Sequence, residues 1–90
     1  MIGQNHPIRI ERRPEVLRRT GFSRSTLYLR INDGLFTPAI NLGGRMVGWL
    51  EHEDTAILAA MAAGKSKPEI QQLVNALTED RQKLMESFHE

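Results

Sequence analysis

Between Pro14 and Gly34 the apolar positions fall on two short stripes at helical spacing, Val16 with Leu17 and then Leu27 with Ile31. Pro14 has the fixed φ of a first helical turn, and Gly21 can take the left-handed conformation that stops a helix, so the first helix ends near Thr20. Ser23 is a good N-cap, because its hydroxyl accepts a hydrogen bond from an otherwise unpaired amide two or three residues on. A second helix then runs from Arg24 to Asp33, with Gly34 as its stop. Two short helices across so tight a turn form a helix-turn-helix. From Leu35 to Trp49 the helical period gives way to two short apolar runs around Gly43-Gly44, a glycine pair suited to a hairpin turn. This hairpin is a wing, and Trp49 is placed to anchor it on the helices. Upstream, Ile8 and Ile10 flank Arg9, an alternation that fits either a short strand or an extended lead-in.

A third helix is expected over residues 51–63. Glu51, Glu53 and Asp54 suit a helix N-terminus, Ile57, Leu58 and Met61 form its stripe, and Gly64 ends it. Ser66-Lys-Pro-Glu69 has the spacing of a capping box and starts a fourth helix. Along that helix Ile70, Leu73, Val74, Leu77, Leu84 and Phe88 recur at three- and four-residue steps, interrupted by Arg81. Twenty helical residues extend roughly 30 Å, longer than so small a domain needs. The far end therefore either folds back to complete the core or serves a homodimer or other partner, through residues 66–88. The pattern predicts a mainly α chain with a small β-hairpin wing, a winged helix-turn-helix followed by two further helices. It divides into a flexible arm (1–8), the winged helix-turn-helix (9–63) and a C-terminal helix (64–90).

Ninety residues with 40% hydrophobic and 26% charged side chains suit one folded domain rather than a disordered chain. With no cysteine there is no disulfide framework and no thiolate zinc site. No long apolar run or leader pattern is visible, so a cytoplasmic protein without a membrane partner is expected. The net charge of +1 hides an asymmetry. Residues 1–50 hold eight arginines against three acids, a net +5, and residues 51–90 hold four cations against eight acids, a net −4. A basic first half suggests a polyanionic partner such as double-stranded DNA, against the alternative of chance asymmetry in a small chain.

The candidate DNA-binding residues lie on the basic half. Arg12 and Arg13 stand beside the start of the first helix, where the dipole does not favour cations, so they are either phosphate contacts or solvated surface charges. Arg18 and Arg19 complement the helix C-terminus, and Arg19 is a further phosphate candidate. In a helix-turn-helix the second helix enters the major groove by its N-terminal part, which places Ser23, Arg24, Ser25 and Thr26 at the bases or phosphates. Tyr28 is either a core aromatic or a DNA contact, and Arg30 is placed for a phosphate. Leu29 falls on the outward side. Packing against a neighbouring segment is favoured for it over covering a thymine methyl. Gly43, Gly44 and Arg45 form the wing tip, where Arg45 would meet the backbone or minor groove. Catalysis is not expected, because no nucleophile, base and orienting group are brought together by any motif. His6, His52 and His89 are scattered without metal-binding spacing. No cofactor, metal or small-molecule ligand is expected.

Taken together, Glu15-Val-Leu17, Thr20-Gly-Phe-Ser-Arg-Ser-Thr-Leu-Tyr28, Asp33-Gly-Leu-Phe36, Ile40-Asn-Leu-Gly43 and Arg45-Met-Val-Gly-Trp49 resemble the AlpA family of prophage regulatory proteins, small winged-helix relatives of MerR-like domains. The resemblance spans about residues 9–60. It implies a helix-turn-helix with a wing, sequence-specific DNA binding, and control of prophage or integrative-element genes, including excision. On that likeness Ser23 to Tyr28 and Arg30 correspond to the recognition helix and Gly43 to Arg45 to the wing tip. Many relatives have Tyr-Arg-Leu-Ile where this chain has Tyr28-Leu-Arg-Ile31. The tail from Lys65 onward lies outside the resemblance. The leading expectation is a transcriptional regulator. The alternatives are an excisionase-like factor that bends DNA and a protein-interaction adaptor that acts through the C-terminal helix without binding DNA.

Overall fold

A computed structural model describes residues 8–88, so the expected arm and the positions of His6 and His89 lie mostly or wholly outside the described residues. In chain order the elements are β1 (Ile10–Arg12), α1 (Arg13–Thr20), α2 (Arg24–Asn32), β2 (Ile40–Gly43), β3 (Met46–Leu50), α3 (Glu51–Ala62) and α4 (Lys67–Glu86). This is a winged helix-turn-helix followed by two further helices, as the periodicity predicts.

The helix boundaries follow from local chemistry. Gly21 closes α1 at φ 76°, and its N–H donates to the Leu17 carbonyl. Ser23 caps α2 by accepting from the Thr26 N–H at 3.1 Å. At α4 the capping box is complete, with the Ser66 hydroxyl accepting from the Glu69 N–H at 3.3 Å and Glu69 Oε1 accepting from the Ser66 N–H at 2.8 Å. These two bonds stabilise the ionised Glu69 and hold its pKa below the usual carboxylate range.

The sheet carries one strand more than a wing alone. β3 lies in the middle, antiparallel to β2 and also to β1, with Ile10 opposite Leu50 and Arg12 opposite Gly48. The lead-in to the first helix is therefore a strand, and it ties the wing to the body. Gly48 is required at that crossing, since a Cβ there would stand 2.6 Å from Ile10 Cγ2 and 3.1 Å from the Glu11 carbonyl oxygen. The wing turn also differs by one residue from the expected Gly43-Gly44. Gly43 pairs with Met46, so the two turn residues are Gly44, at φ 57°, and Arg45. The Asn41 side chain accepts the Gly43 N–H at 2.8 Å beside a register shift, and this carries β2 one residue further before it reverses.

The core gathers Val16, Leu27, Leu35, Phe36, Trp49, Ile57, Ile70 and Val74 from both helices of the motif, the wing base, α3 and α4. Trp49 is fully buried and donates from Nε1 to the Thr37 carbonyl at 3.0 Å, which fixes the wing to the segment entering it. α4 folds back on the domain along its first four turns. Ile70 and Val74 are buried, and the Gln71 amide donates to the Asp33 carbonyl at 2.8 Å at the end of α2. Arg81 makes a bidentate pair with the fully buried Glu53 of α3, at 2.7 and 2.9 Å, and donates to the Pro38 carbonyl at 3.0 Å. The charge that interrupts the apolar stripe is thus the clasp of this helix. Past it the helix lies open, with Met85 59% and Phe88 73% exposed.

Candidate nucleic-acid interface

The turn between α1 and α2 is built by hydroxyls. Thr20 Oγ1 donates to the Val16 carbonyl at 2.8 Å and accepts from the Phe22 N–H at 3.1 Å, and the Ser23 hydroxyl donates to Thr26 Oγ1 at 3.0 Å. This network sets the angle at which α2 leaves the turn. Of the four hydroxyl or guanidinium side chains at its start, Ser23 and Thr26 are therefore joined in the cap. Arg24 and Ser25 stand exposed beside them, and Arg24 has no ion pair among the described residues.

Opposite this surface Leu27 is fully buried. Tyr28 is half-exposed. Its ring meets Trp49 edge-on at 6.5 Å between centroids, and its hydroxyl accepts from Arg13 at 3.4 Å. It thus serves both readings, part core aromatic and part surface. Arg12 in turn donates from Nε to the Val47 carbonyl of β3 at 3.0 Å. The two consecutive arginines reach in different directions, one to the wing strand and one to the second helix of the motif. They form a bridge of positive charge between α2 and the wing. At the wing tip Gly43, Gly44 and Arg45 are all exposed.

Two of the expected phosphate arginines face protein instead. Arg19 NH1 pairs with Glu11 at 2.8 Å and Asp54 at 3.3 Å, and its NH2 donates to Thr55 at 2.8 Å. Both carboxylates are buried, and the pair with Glu11 raises the Arg19 pKa above its ordinary value. Asp54 is pushed up to about 7, first by burial and then by its hydrogen bond to Glu11, with Arg19 pulling the other way. One cation thus serves two carboxyls, and a proton held on Asp54 removes the second negative charge. Arg30 lies with its guanidinium carbon 5.2 Å from the Phe22 ring centroid, and its NH2 donates to the Met61 sulfur at 3.7 Å. Its Nε is buried without a partner. Arg30 therefore packs α2 against the turn and α3 through its flat cationic face.

Besides Glu11 of β1, which the sequence does not single out, the buried acids are Glu53 and Asp54 of α3, which the sequence presents only as a dipole-favoured helix start. Their signal was in the spacing. Glu53 and Asp54 stand four and three residues before Ile57 and so share its buried stripe. Leu29 reverses its expectation as well, for it is 61% exposed and lies outside the hydrophobic core of the described residues. His52 is half-buried in the first turn of α3. Among the described residues no helix is long and apolar enough to cross a membrane.

A protein-family profile described as "Prophage CP4-57 regulatory protein (AlpA)" matches residues 9–54, the stretch from β1 into the first turn of α3. The uncharacterized protein ORF88 of Enterobacteria phage P4 is 46% identical over 59 residues, which cover 66% of this chain and 67% of that protein. No solved structure matches. The matched stretch is the one that holds the turn, α2 and the wing.

Proposed function

The chain belongs to the AlpA family of prophage regulatory proteins, and from that premise we propose that it regulates genes of a prophage or integrative element by binding duplex DNA. α2 enters the major groove from its N-terminal end, and the wing rests on the flanking backbone. The observation that carries this reading is the Arg12–Arg13 bridge, since it joins α2, which starts with the exposed Arg24, to β3, which follows the exposed Arg45 of the wing turn. Arg24 and Ser25 are the polar groups assigned to base edges, where arginine binds guanine through two hydrogen bonds. Arg12, Arg13 and Arg45 are assigned to phosphates, with Gly43 and Gly44 letting the wing backbone come close. Ser23 and Thr26 orient the helix, and Tyr28 holds Arg13. Arg19 and Arg30 are left out of the contact set because the first is ion-paired to two buried carboxyls and the second is packed against Phe22 and Met61.

The test is fluorescence anisotropy with duplexes from the DNA flanking its own gene and with a scrambled duplex, over a range of salt concentrations. A specific regulator binds the native site more tightly than the scramble and loses affinity steeply with salt. Arg24→Ala should cost about 1–3 kcal/mol on the specific site and relax preference at one base pair, whereas Arg45→Ala should weaken all duplexes alike and lower the salt slope by about one. Equal losses on both duplexes for both variants would contradict this division of labour. No binding to any duplex at low salt would favour an adaptor that works through α4.

A further inference from the structure

Most of the exposed side of α2 has a task within the protein. Ser23 and Thr26 are bonded to each other in the cap, the Tyr28 hydroxyl receives Arg13, and Arg30 lies over Phe22. Three exposed side chains remain on the first six positions, Arg24, Ser25 and Leu29. Ser25 and Leu29 are four residues apart and lie one above the other, on the side of the helix opposite the fully buried Leu27. Leu29 is 61% exposed in the middle of a capped, well-packed helix, and among the large hydrophobic side chains of the described residues only Phe88 is more open. Among the described residues the hydrophobic core that takes in Leu27 and Ile31 does not include Leu29.

Resting on the reading of α2 as the helix that enters the groove, we infer that Leu29 is a specificity-determining residue that covers the 5-methyl group of a thymine. Leucine has no donor or acceptor, so it adds nothing at a phosphate or at the polar edge of a base. In the major groove the apolar group at a base edge is the thymine methyl. The helix then reads two kinds of information from one surface. Arg24 selects by hydrogen bonding and Leu29 by excluding water from a methyl group, while Ser25 stands between them small enough to let the helix approach.

The experiment recovers bound duplexes from a random library with the wild-type protein, then replaces each thymine of the recovered site in turn by deoxyuridine, which removes the methyl and leaves the hydrogen-bonding edge intact. Wild-type affinity should fall about fourfold at one thymine per bound copy, the worth of one buried methyl-sized group. Leu29→Ala should bind the thymine and uracil forms of that site equally, and the losses from the variant and the base should not add. Because Leu29 is exposed, the variant should keep the wild-type thermal midpoint, and the uracil scan of the wild-type protein stands without it. A recovered site with no methyl-sensitive thymine, or full methyl sensitivity retained in Leu29→Ala, would overturn the role of Leu29 while leaving DNA binding by α2 in place. Failure to recover any duplex would overturn the reading of α2 itself and the role of Leu29 with it.

Discussion

Where β1, α1 and α3 converge, two buried carboxyls share one arginine, and this makes stability depend on pH at that point. Asp54 titrates near 3.8 in an unfolded chain and at about 7 in the folded one, because burial and the neighbouring Glu11 disfavour its charge more than Arg19 favours it. Between those values the native chain holds a proton that the unfolded chain has released. The contribution of Asp54 to stability is therefore greatest on the acid side of this interval, declines as the pH rises through it, and levels off above about 7. Asp54→Asn keeps an oxygen for Arg19 and adds an amide that can donate to Glu11, so it resembles the protonated state at every pH. Its thermal midpoint should lie close to that of the wild type near pH 5. At pH 8 it should be the more stable protein, by on the order of 1 kcal/mol, since it carries one uncompensated buried charge fewer. Comparing the two proteins by thermal unfolding at pH 5, 6, 7 and 8 subtracts the histidines common to both. Parallel curves would show that Asp54 is ionised throughout.

The clasp between α3 and α4 makes a comparable claim for whole elements. Glu53 is fully buried, and Arg81 supplies both of its hydrogen bonds as well as one to Pro38. Arg81→Ala should cost about 3–5 kcal/mol in urea unfolding, because it leaves a carboxylate buried without its cation. The double variant Arg81→Met with Glu53→Leu should recover most of that loss. A cost below about 1 kcal/mol for Arg81→Ala would mean that Ile70 and Val74 alone dock the helix, at the magnitude of an exposed ion pair. The same contacts mark what was legible in the chain. Caps and stops at Gly21, Ser23, Gly64 and Ser66 are decided within three or four residues, and the chain shows them directly. The third strand was left open because Ile10 meets Leu50 only after the whole motif has folded. Arg19, Arg30 and Arg81 are alike as letters to any surface arginine, and their partners Glu11, Phe22 and Glu53 come from other elements. The candidate groove residues Arg24 and Ser25 were legible because a helix-turn-helix assigns that place by position. Leu29 departs from its expectation because burial statistics favour covering a leucine, and among the described residues it stays 61% exposed.

Across the whole molecule the charge asymmetry resolves into two kinds of arginine. Arg9 and Arg19 are answered by acids of α3 or β1, whereas Arg12, Arg13 and Arg45 are not answered by acids among the described residues. With the three arginine–phosphate contacts proposed per copy, the logarithm of affinity should fall with the logarithm of salt at a slope of about −3, and two copies bound together should give about −5. The slope therefore counts the copies on the site. One winged helix spans few base pairs, so the proposed specific binding calls for paired half-sites, and the open end of α4, with Met85 and Phe88 exposed beyond the Arg81 clasp, is the candidate surface for joining two copies. Met85→Glu with Phe88→Glu places like charges at that surface without touching the core, α2 or the wing. If it joins copies, the double variant should sediment as a monomer where the wild type does not, and its slope on the native site should drop from about −5 to about −3. Its binding to one isolated half-site should stay unchanged. A wild-type protein that is monomeric at every concentration and already shows the shallower slope would mean that α4 completes the domain and that neighbouring copies meet through DNA alone.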